Sequence, residues 1–594
     1  MDFWRRSVGQ SLGAQRLVHR WVRALGKRVP IWYSPSYRLP LPTFETQEGA
    51  QLRRADFVAW YLVECGLTTA AELRVPARIS YENLARVHTV SHLEALSQPS
   101  VLARIFASDP DEIVVEELLR AIRLVCGGTL EAARAAVRSR GPAINLGGGF
   151  HHAEPSWGRG FCAVNDIAVA IAVLRSEGFD GEIAVVDLDA HPPDGTVKCL
   201  QGDHHSKVLS LSGCDWGGLE GADETVLPRG TDDAGYLHAL RELLGRVGHV
   251  DLGFVIQGGD VLEDDRLGHI AMSLDGALVR DALVKRAFRH VPSVWLPGGG
   301  YHGDSWRVLA ATCLRLAGSP VHRPPSDYEP LDAHYALIAD GLRKTALAGS
   351  GDISFDGMAA DLGIARRHQR LLGYYTAEGV EFALQRYGIL DSVGRLGYSD
   401  FRVEIDAGNP GDRARLFGHS GGREHLLIEC SVQRVFRAPG EVLFVHWLTL
   451  RNPRATFGAR RPRLPGQDVP GLGISAEFSV IFQRVIERLG LAGVVFTPSW
   501  YHMAHVARHH ARFFDPARQG RFAALVKALA HLPLLEATCV VAEGKVLLNG
   551  EPYRWEPDEM MAGYVHCEAD QRIVADTREH SQFTLVGDTR KRSI

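Results

Sequence analysis

The sequence predicts an α/β protein in which a parallel sheet is wrapped by helices, followed by a second domain of α+β type. The main observation is that short apolar runs ending in glycine or an acid alternate with helical patterns from Ile31 to about Ser319, as in strand–helix–strand units. Clustered prolines between Gly318 and Pro330 mark a domain boundary. The predicted domains are residues 1–28, 29–325 and 331–565, with a tail at 566–594.

Composition narrows the class of protein. The 594 residues, of which 45% are apolar and 23% charged, suit several globular domains. A net charge of −4 offers no basic excess for nucleic acid. The 9 cysteines are scattered without a C-x-x-C pair, and no apolar run is long enough to span a bilayer. We therefore expect a cytoplasmic protein, and its arginine and glycine content indicates a bacterial source.

Residues 1–28 form a basic amphipathic segment. Apolar side chains near helical spacing run from Trp4 to Leu25, arginines lie between them, and acids are almost absent. Such a helix either makes a peripheral contact with a membrane surface or packs on the domain behind it. We favour packing.

The elements of the first domain follow from the alternating pattern. The predicted strands are Ala143–Leu146, Ile183–Leu188, Leu252–Gln257 and Ser293–Leu296. The predicted helices are Ile113–Val125, Thr129–Ser139, Ala163–Ser176 and Leu274–Arg289. Helices that separate successive strands favour a parallel sheet.

The second domain has a different pattern. Its first three strands follow one another without helices, which predicts an antiparallel meander. These strands are Phe401–Ile405, His425–Val432 and Val442–Leu450, and the helices that follow are Ser475–Leu489, Tyr501–Phe513 and Gly520–Ala530. The polar stretch Glu568–Ile594 is expected to be a loose tail.

Chemically active residues follow each predicted strand of the first domain. Ligands in open α/β sheets gather outside the carboxyl ends of the strands, so these residues are expected to share one site. Alternate positions of an extended chain point the same way, which lets Asp187, Asp189 and His191 face one centre. The other residues at strand ends are His151 and His152 after three glycines, Asp260 after Gly258-Gly259, and Tyr301 after Gly298–Gly300.

One imidazole and two carboxylates from separate strands suit a catalytic divalent ion, and Zn²⁺ and Fe²⁺ both fit. An Asp-x-Asp-x-His run alone is a weak signal, because acidic strand ends are more often caps or turns. Four converging strand ends favour the metal site.

Several motifs together resemble the signature blocks of the histone deacetylase family, which has the arginase/deacetylase fold. The segments are Gly147–Ala153, Gly160–Asp166, Asp187–Gly195, Gly258–Gly268 and Gly298–Tyr301, in the family's order across roughly Ile31–Ser319. Leu267-Gly268 and Gly127-Gly128-Thr129 are similar to class IV members.

The resemblance implies a zinc-dependent deacylase that hydrolyses an acyl amide of lysine, or of a related small amine, with a metal-activated water. It implies that Asp189, His191 and Asp260 are the zinc ligands and that His152, oriented by Asp194, is the general base and then the general acid. His151 pairs with Asp187, which also helps to hold a structural K⁺, and Tyr301 donates to the oxyanion. Phe150, Phe161, Gly299 and Gly300 are expected along the substrate channel, although Phe150 suits the core equally well.

The sequence departs from the family pattern in the loop after the ligand histidine. Pro192 and Pro193 replace a polar residue and glycine after the ligand histidine, and Trp216 and Leu219 lie where a second channel wall is expected.

A two-metal ureohydrolase is less favoured because Leu262 stands where a further carboxylate is needed. A non-catalytic acyl-lysine-binding scaffold is a second rival. Class IV relatives suggest long fatty acyl groups, while small acyl groups on proteins, polyamines or natural products stay open.

The second domain faintly resembles an acyl-CoA N-acyltransferase of the GNAT type, in which a glycine-rich turn before a helix binds pyrophosphate. Here Pro470–Gly473 opens the helix Ser475–Leu489, but Asp468 occupies the anchoring position. A deacylase joined to an acyltransferase is therefore one alternative, and a binding or dimerisation domain is favoured. His502, His505 and His509 have helical spacing, for which a polar helix face is the default and a metal site the alternative.

Overall fold

The chain divides into two units, Met1–Ala333 and His334–Ile594. The computed structural model describes residues 2–25, 28–49, 51–349, 370–437 and 440–586. Among these residues no helix combines the length and the apolar character needed to cross a bilayer.

The first unit is built on a seven-stranded sheet. The strands are β1 Ile31–Trp32, β2 Pro142–Asn145, β3 Ile183–Asp187, β4 Ser206–Ser212, β5 Ala222–Val226, β6 Leu252–Ile256 and β7 Ser293–Leu296. They lie in the order β1-β2-β7-β6-β3-β4-β5, and every neighbouring pair is parallel. The predicted parallel sheet is confirmed. The order brings β2, β7, β6 and β3 together as consecutive neighbours, although they are remote in sequence.

Helices cover both faces of this sheet. They are α1 Asp2–Ala24, α2 Pro42–Glu48, α3 Arg54–Glu64, α4 Tyr81–Leu84, α5 Val90–Ala95, α6 Pro99–Ile105, α7 Val115–Ser139, α8 Asp166–Ser176, α9 Asp194–Leu200, α10 Asp233–Gly245, α11 Leu274–Ala287 and α12 Ser305–Leu316. Along β3, Ile183 and Val185 pack into one apolar cluster while Ala184 and Val186 pack into another. Because alternate residues of a strand face opposite sides, the two clusters are the two faces of the sheet.

The helix break predicted at Gly127-Gly128 is wrong, since α7 is continuous through both glycines. A Cβ atom at Gly127 would overlap the carbonyl oxygen of Ala77, and one at Gly128 would overlap the hydroxyl of Tyr37. These glycines therefore let neighbouring chain approach the helix closely, and tertiary contact outweighs their low helix propensity.

Helix α1 packs on the first unit through one face. Leu12 belongs to its core, and the buried His19 places Nδ1 2.8 Å from the carbonyl oxygen of Cys65 and Nε2 2.8 Å from Ser319 Oγ. The opposite face exposes Leu17, Trp21 and Leu25, with 60%, 75% and 77% of their surfaces accessible. The side chains of residues 2–11, Trp4 among them, and residues 26–27 lie outside the described residues.

The second unit contains a mixed sheet and a small antiparallel sheet. Its strands are β8 Ser399–Ala407, β9 Asp412–Ser420, β10 Arg423–Arg437, β11 Gly440–Leu450, β12 Val494–Phe496, β13 Ala511–Phe513, β14 Val546–Leu548, β15 Glu551–Pro552, β16 Met560–Ala562 and β17 Phe583–Leu585. The helices numbered within this part are α13 Pro330–Gly341, α14 Lys344–Ala348, α15 Ala377–Arg386, α16 Ile389–Gly394, α17 Ser475–Leu489, α18 Tyr501–Ala507, α19 Pro516–Ala528, α20 Leu534–Ala542 and α21 Glu568–His580.

The large sheet has the order β13-β16-β12-β11-β10-β9-β8. Strands β8 to β11 form the predicted antiparallel meander, with β9 as a strand that the sequence analysis missed. Strand β12 follows α17 and pairs in parallel with β11. The acyltransferase resemblance stays a prediction.

Two predictions for the second domain are wrong. The helix predicted over Tyr501–Phe513 ends at Ala507, and Ala511–Phe513 is a strand, so His509 lies beyond the helix that carries His502 and His505. The stretch predicted to be a loose tail instead forms α21, which packs on α19, and β17, which pairs with β14. Phe583 supplies the reason, because it is buried in the apolar cluster of this region. Residues 587–594, including Arg590–Arg592, lie outside the described residues.

Candidate metal and acyl-transfer site

The predicted site residues meet at the carboxyl edge of the first sheet. Just after β3, the backbone N–H of Asp189 donates to Asp187 Oδ1 at 3.1 Å, and that of His191 donates to Asp189 Oδ1 at 3.0 Å. These local bonds turn the chain sharply at the end of a wholly buried strand. The turn delivers the carboxylate of Asp189 and the imidazole of His191 to one place.

Three side chains there have the arrangement of a metal site. Asp189, His191 and Asp260 each offer a ligand atom, and these atoms lie within 4.8 Å of one another. His191 Nδ1 is 3.2 Å from Asp189 Oδ1 and 3.0 Å from Asp260 Oδ2. Within the described ranges, no other group of three His, Cys, Asp or Glu residues meets this criterion. The alternative metal site at His502, His505 and His509 is therefore not assembled.

The two carboxylates are buried and repel each other. Burial and the charge of Asp189 raise the pKa of Asp260 to about 7. Burial would also raise the pKa of Asp189. The charges of His151 and His191 outweigh this effect and hold the pKa of Asp189 well below its ordinary value. Like charges crowded into a buried site are stabilised when a cation lies between them, so the donor set suits a divalent ion.

Backbone groups hold the two carboxylates in place. The N–H of Gly299 donates to Asp189 Oδ2 at 2.6 Å, and that of Ala190 donates to Asp260 Oδ1 at 3.1 Å. Gly299 passes so close that a Cβ atom there would lie 2.8 Å from Asp189 Oδ2 and 2.7 Å from Asp260 Oδ2. The loop after β7 therefore packs directly on the ligand set.

Two histidine–aspartate pairs lie beside the ligands. His151 Nδ1 is 2.9 Å from Asp187 Oδ2, and His152 Nδ1 is 2.7 Å from Asp194 Oδ1. The two imidazole rings are 4.0 Å apart between centroids. A carboxylate at Nδ1 favours the tautomer that carries its proton there, which leaves Nε2 as the acceptor.

The pKa values of the two histidines are shifted in opposite directions. Burial disfavours the charged form of His151, but the carboxylates of Asp187 and Asp189 outweigh it and raise its pKa to about 9. Burial and the neighbouring charge of His151 lower the pKa of His152 to about 4, against the opposing effect of Asp194. Near neutral pH, His151 is therefore the cation and His152 the base, which is the division of roles expected of an acid–base site.

Tyr301 is placed by the loop after β7. Its backbone N–H donates to Asp265 Oδ2 at 2.7 Å, and its ring lies 5.8 Å from that of Phe161. Burial and the charges of Asp189 and Asp260 raise the pKa of its phenol well above the usual value. The hydroxyl therefore keeps its proton and remains a hydrogen-bond donor.

Most of the predicted site residues line one pocket of about 170 Å³, with Asp187, Asp194 and Asp260 outside its lining. Its walls include Phe150, His151, His152, Phe161, Asp189, His191, Gly299, Gly300 and Tyr301. Asp166 fixes the Phe150 side of the wall, because its carboxylate accepts from the N–H groups of Gly149 at 3.1 Å and Phe150 at 2.7 Å.

Several residues of the site were missed or left undecided by sequence reasoning. Arg54, from α3, lines the same pocket and donates to the carbonyl oxygens of Gly298 and Gly299 at 2.5 Å each. No local motif marks it, because it meets the loop only across the fold. Trp216 lies over His152 and His191, with ring centroids 5.4 and 6.2 Å away, whereas Leu219 packs on a core cluster.

Arg159 links Trp216 to the second histidine–aspartate pair. Its guanidinium lies 5.0 Å from the Trp216 ring centre and 3.1 Å from Asp194 Oδ2. Asp194 itself begins α9 after Pro193. The two prolines that depart from the family pattern therefore leave Asp194 in contact with His152.

Comparison with known proteins identifies the family of this chain. The family model described as "Histone deacetylase domain" matches residues 50–317. Histone deacetylase 2 of Arabidopsis thaliana is 33% identical over 308 residues, which cover 49% of this chain and 79% of that protein. The chain belongs to the histone deacetylase family.

Bacterial relatives of this histone deacetylase family member are also found. An uncharacterized protein of Picosynechococcus is 32% identical over 286 residues, covering 46% of the chain and 92% of the relative. The acetoin utilization protein AcuC of Staphylococcus aureus is 25% identical over 321 residues, covering 49% and 81%. Among solved structures, an HDAC homolog from Aquifex aeolicus has a TM-score of 0.42 and 22% identity, covering 52% of this chain and 88% of that one.

Proposed function

We propose that the first unit is a metal-dependent amide hydrolase that removes an acyl group from lysine in a protein or from a related small amine. The observation that carries this proposal is that the Asp189–His191–Asp260 donor set and two histidine–aspartate pairs assemble at a pocket that Tyr301 also lines. Membership of the histone deacetylase family supports it.

Asp189, His191 and Asp260 are the residues that would hold the ion, either Zn²⁺ or Fe²⁺. When bound, a divalent ion supplies Lewis acidity toward a carbonyl oxygen and lowers the pKa of a water molecule. The buried pair of carboxylates fits such a cation, because burial and the charge of Asp189 otherwise raise the pKa of Asp260 to about 7.

His152 and His151 divide the proton transfers. His152 takes the proton of the attacking water at Nε2 and later delivers it to the leaving amine, because its lowered pKa keeps it neutral at the outset. Asp194 holds the ring through Nδ1 and stabilises the imidazolium that forms. His151, paired with Asp187, supplies positive charge or a hydrogen bond at the reacting carbonyl.

Tyr301 stabilises the charge that develops on the acyl oxygen. A phenol that stays protonated can donate to this oxygen, and one such donor is worth about 3 kcal/mol in comparable sites. The aromatic ring of Phe161 on the pocket wall and that of Trp216 over His152 suit contact with the apolar stem of an acylated lysine.

A second cation is proposed beneath the site. Ser210, the partner of Asp187 in the neighbouring strand β4, has a buried hydroxyl oxygen without a hydrogen-bond partner. A buried polar group of this kind calls for a ligand, and oxygen donors at Asp187 and Ser210 suit K⁺. Its role would be to fix the strand end that carries Asp189 and His191.

The experiment is a turnover assay on the full chain loaded with Zn²⁺ or Fe²⁺, using lysine peptides with acyl chains of increasing length and an acetylated polyamine. We expect hydrolysis that His152→Ala abolishes and that the control His205→Ala, at an exposed histidine, leaves intact. Acyl-lysine binding without turnover under every condition would favour the scaffold alternative.

We further propose that the exposed stripe of α1, formed by Leu17, Trp21 and Leu25, makes a peripheral contact with an anionic membrane surface. The observation that favours this contact is the exposure of three large apolar side chains on a helix rich in arginine. Tryptophan and arginine on such a face suit the interface between lipid head groups and acyl chains.

A further inference from the structure

The second unit contains an apolar cavity of about 110 Å³ between its large sheet and two helices. Strands β8 to β11 supply one wall and helices α15 and α17 the other. The main apolar contributors are Leu416, Ile428 and Leu443 from the sheet and Ile481, Phe482 and Val485 from α17. Leu416 and Ile428 are direct neighbours on adjacent strands, so the sheet presents a continuous apolar surface.

This cavity is larger than the gaps that ordinary packing leaves. Protein interiors are close-packed, with few voids larger than a water molecule. Ile481, Phe482 and Val485 face the sheet yet stay half-buried rather than buried. An apolar cavity of comparable size, about 150 Å³, stays dry and binds benzene. The cavity in this unit therefore has the size and lining of a site for a short hydrocarbon group.

The cavity wall also carries one positive charge and two phenols. They belong to Arg488, Tyr375 and Tyr387. Arg488 donates to the carbonyl oxygens of Leu342 at 3.1 Å and Ala339 at 2.5 Å. Carbonyl groups do not cancel a charge, and no carboxylate of the described residues lies within ion-pair distance of Arg488. The charge of Arg488 acts on both phenols. It lowers the pKa of Tyr375 and of Tyr387, although burial raises each pKa by more.

The other arginines that line the cavity have acidic partners. Arg415 contacts Asp406 and Glu404, and Arg484 lies 3.2 Å from Glu487. The negative charges of Glu487 and Asp340 raise the pKa of Tyr387, which Arg488 lowers. Because those other cations are paired with acids, Arg488 supplies the positive charge that an incoming anion would meet.

We propose that this cavity binds a monocarboxylic acid with an unbranched hydrocarbon tail. The tail lies against the sheet and α17, and the carboxylate accepts hydrogen bonds from Arg488 and from the hydroxyl groups of Tyr375 and Tyr387. A few donors on the wall of an apolar pocket are the usual means of fixing an amphiphilic ligand. The proposal concerns the second unit alone and holds whether or not the first unit is a hydrolase.

The test is titration calorimetry of the full chain with octanoate, octan-1-ol and acetate. We expect octanoate to bind at least tenfold more tightly than either control, because octan-1-ol lacks the charge and acetate lacks the tail. Arg488→Gln should weaken octanoate at least tenfold and leave octan-1-ol unchanged. Arg434→Gln, at an exposed arginine paired with Glu441, should leave octanoate binding at its original strength.

A second variant locates the site and guards against misfolding. Ala383→Phe places a ring into the cavity from α15 and should abolish binding of octanoate and octan-1-ol alike while the circular dichroism spectrum stays native. Equal affinity for octanoate and octan-1-ol would overturn the proposal. Octanoate binding that survives both Ala383→Phe and Arg488→Gln would assign it to another site, such as the first unit's pocket, and would also overturn the proposal.

Discussion

Replacing Gly299 by alanine should disrupt the proposed metal site without unfolding the protein. The added Cβ would lie 2.7 Å from Asp260 Oδ2 and 2.8 Å from Asp189 Oδ2, whereas ordinary contact begins at 3.4 Å. The nearer carboxylate must therefore move by about 0.7 Å, the difference between 3.4 and 2.7 Å. Both carboxylates are held by backbone N–H groups, so they cannot move freely.

A displacement of this size acts on both binding and rate. Disturbing the groups that orient metal ligands costs about 10- to 100-fold in metal affinity. A misplacement of about 1 Å costs about 100-fold in rate. We therefore expect Gly299→Ala to bind Zn²⁺ at least tenfold more weakly and to lose about 100-fold in kcat/KM when saturated with metal.

The assay compares Gly299→Ala with Gly303→Ala, which lies on the same loop and has no atom within 4 Å of the added Cβ. Metal affinity is measured by competition with a chelator, turnover with an acyl-lysine peptide, and folding by thermal denaturation. Gly303→Ala should match the parent protein in all three. Parental metal affinity and turnover in Gly299→Ala would refute the placement of the ligands at this loop.

Three further predictions concern other parts of the first unit. Tyr301→Phe should lower kcat about 100-fold or more with little change in metal affinity, since it removes one oxyanion donor; Tyr81→Phe, at an exposed tyrosine, is the control, and an unchanged kcat would exclude the oxyanion role. Burial raises the pKa of Glu64 to about 7 from 4.5, so the stability of the fold falls as the pH rises through this range. Glu64→Gln should therefore raise the free energy of unfolding by up to about 3 kcal/mol at about pH 8 and by little at about pH 4. A gain of equal size at both pH values in denaturant titrations would contradict this. Changing Leu17, Trp21 and Leu25 together to serine should lower cosedimentation with anionic phosphatidylglycerol vesicles at least tenfold, and cosedimentation that is unaffected, or equal on neutral vesicles, would exclude the proposed contact.

Local patterns were sufficient to predict the parallel sheet and the strand ends that carry the candidate site. The apolar runs of β3, β6 and β7 are buried on both faces, so they read clearly as strands. By contrast, β1 has two residues and β5 is a half-exposed edge strand, and neither carries a strong pattern. The helix break expected at Gly127-Gly128 is absent because the contacts that require these glycines come from Ala77 and Tyr37, which are remote in sequence.

The sequence by itself determined which residues lie at the strand ends of the first unit, because strand pattern and residue chemistry are local properties of the chain. Only the tertiary structure decided which of those ends meet, since the order β2-β7-β6-β3 joins segments remote in sequence. The same holds for Arg54 against the loop of Gly298 and Gly299, and for the charge of Arg488 in an apolar cavity. Such contacts depend on distance in space, which no local pattern encodes.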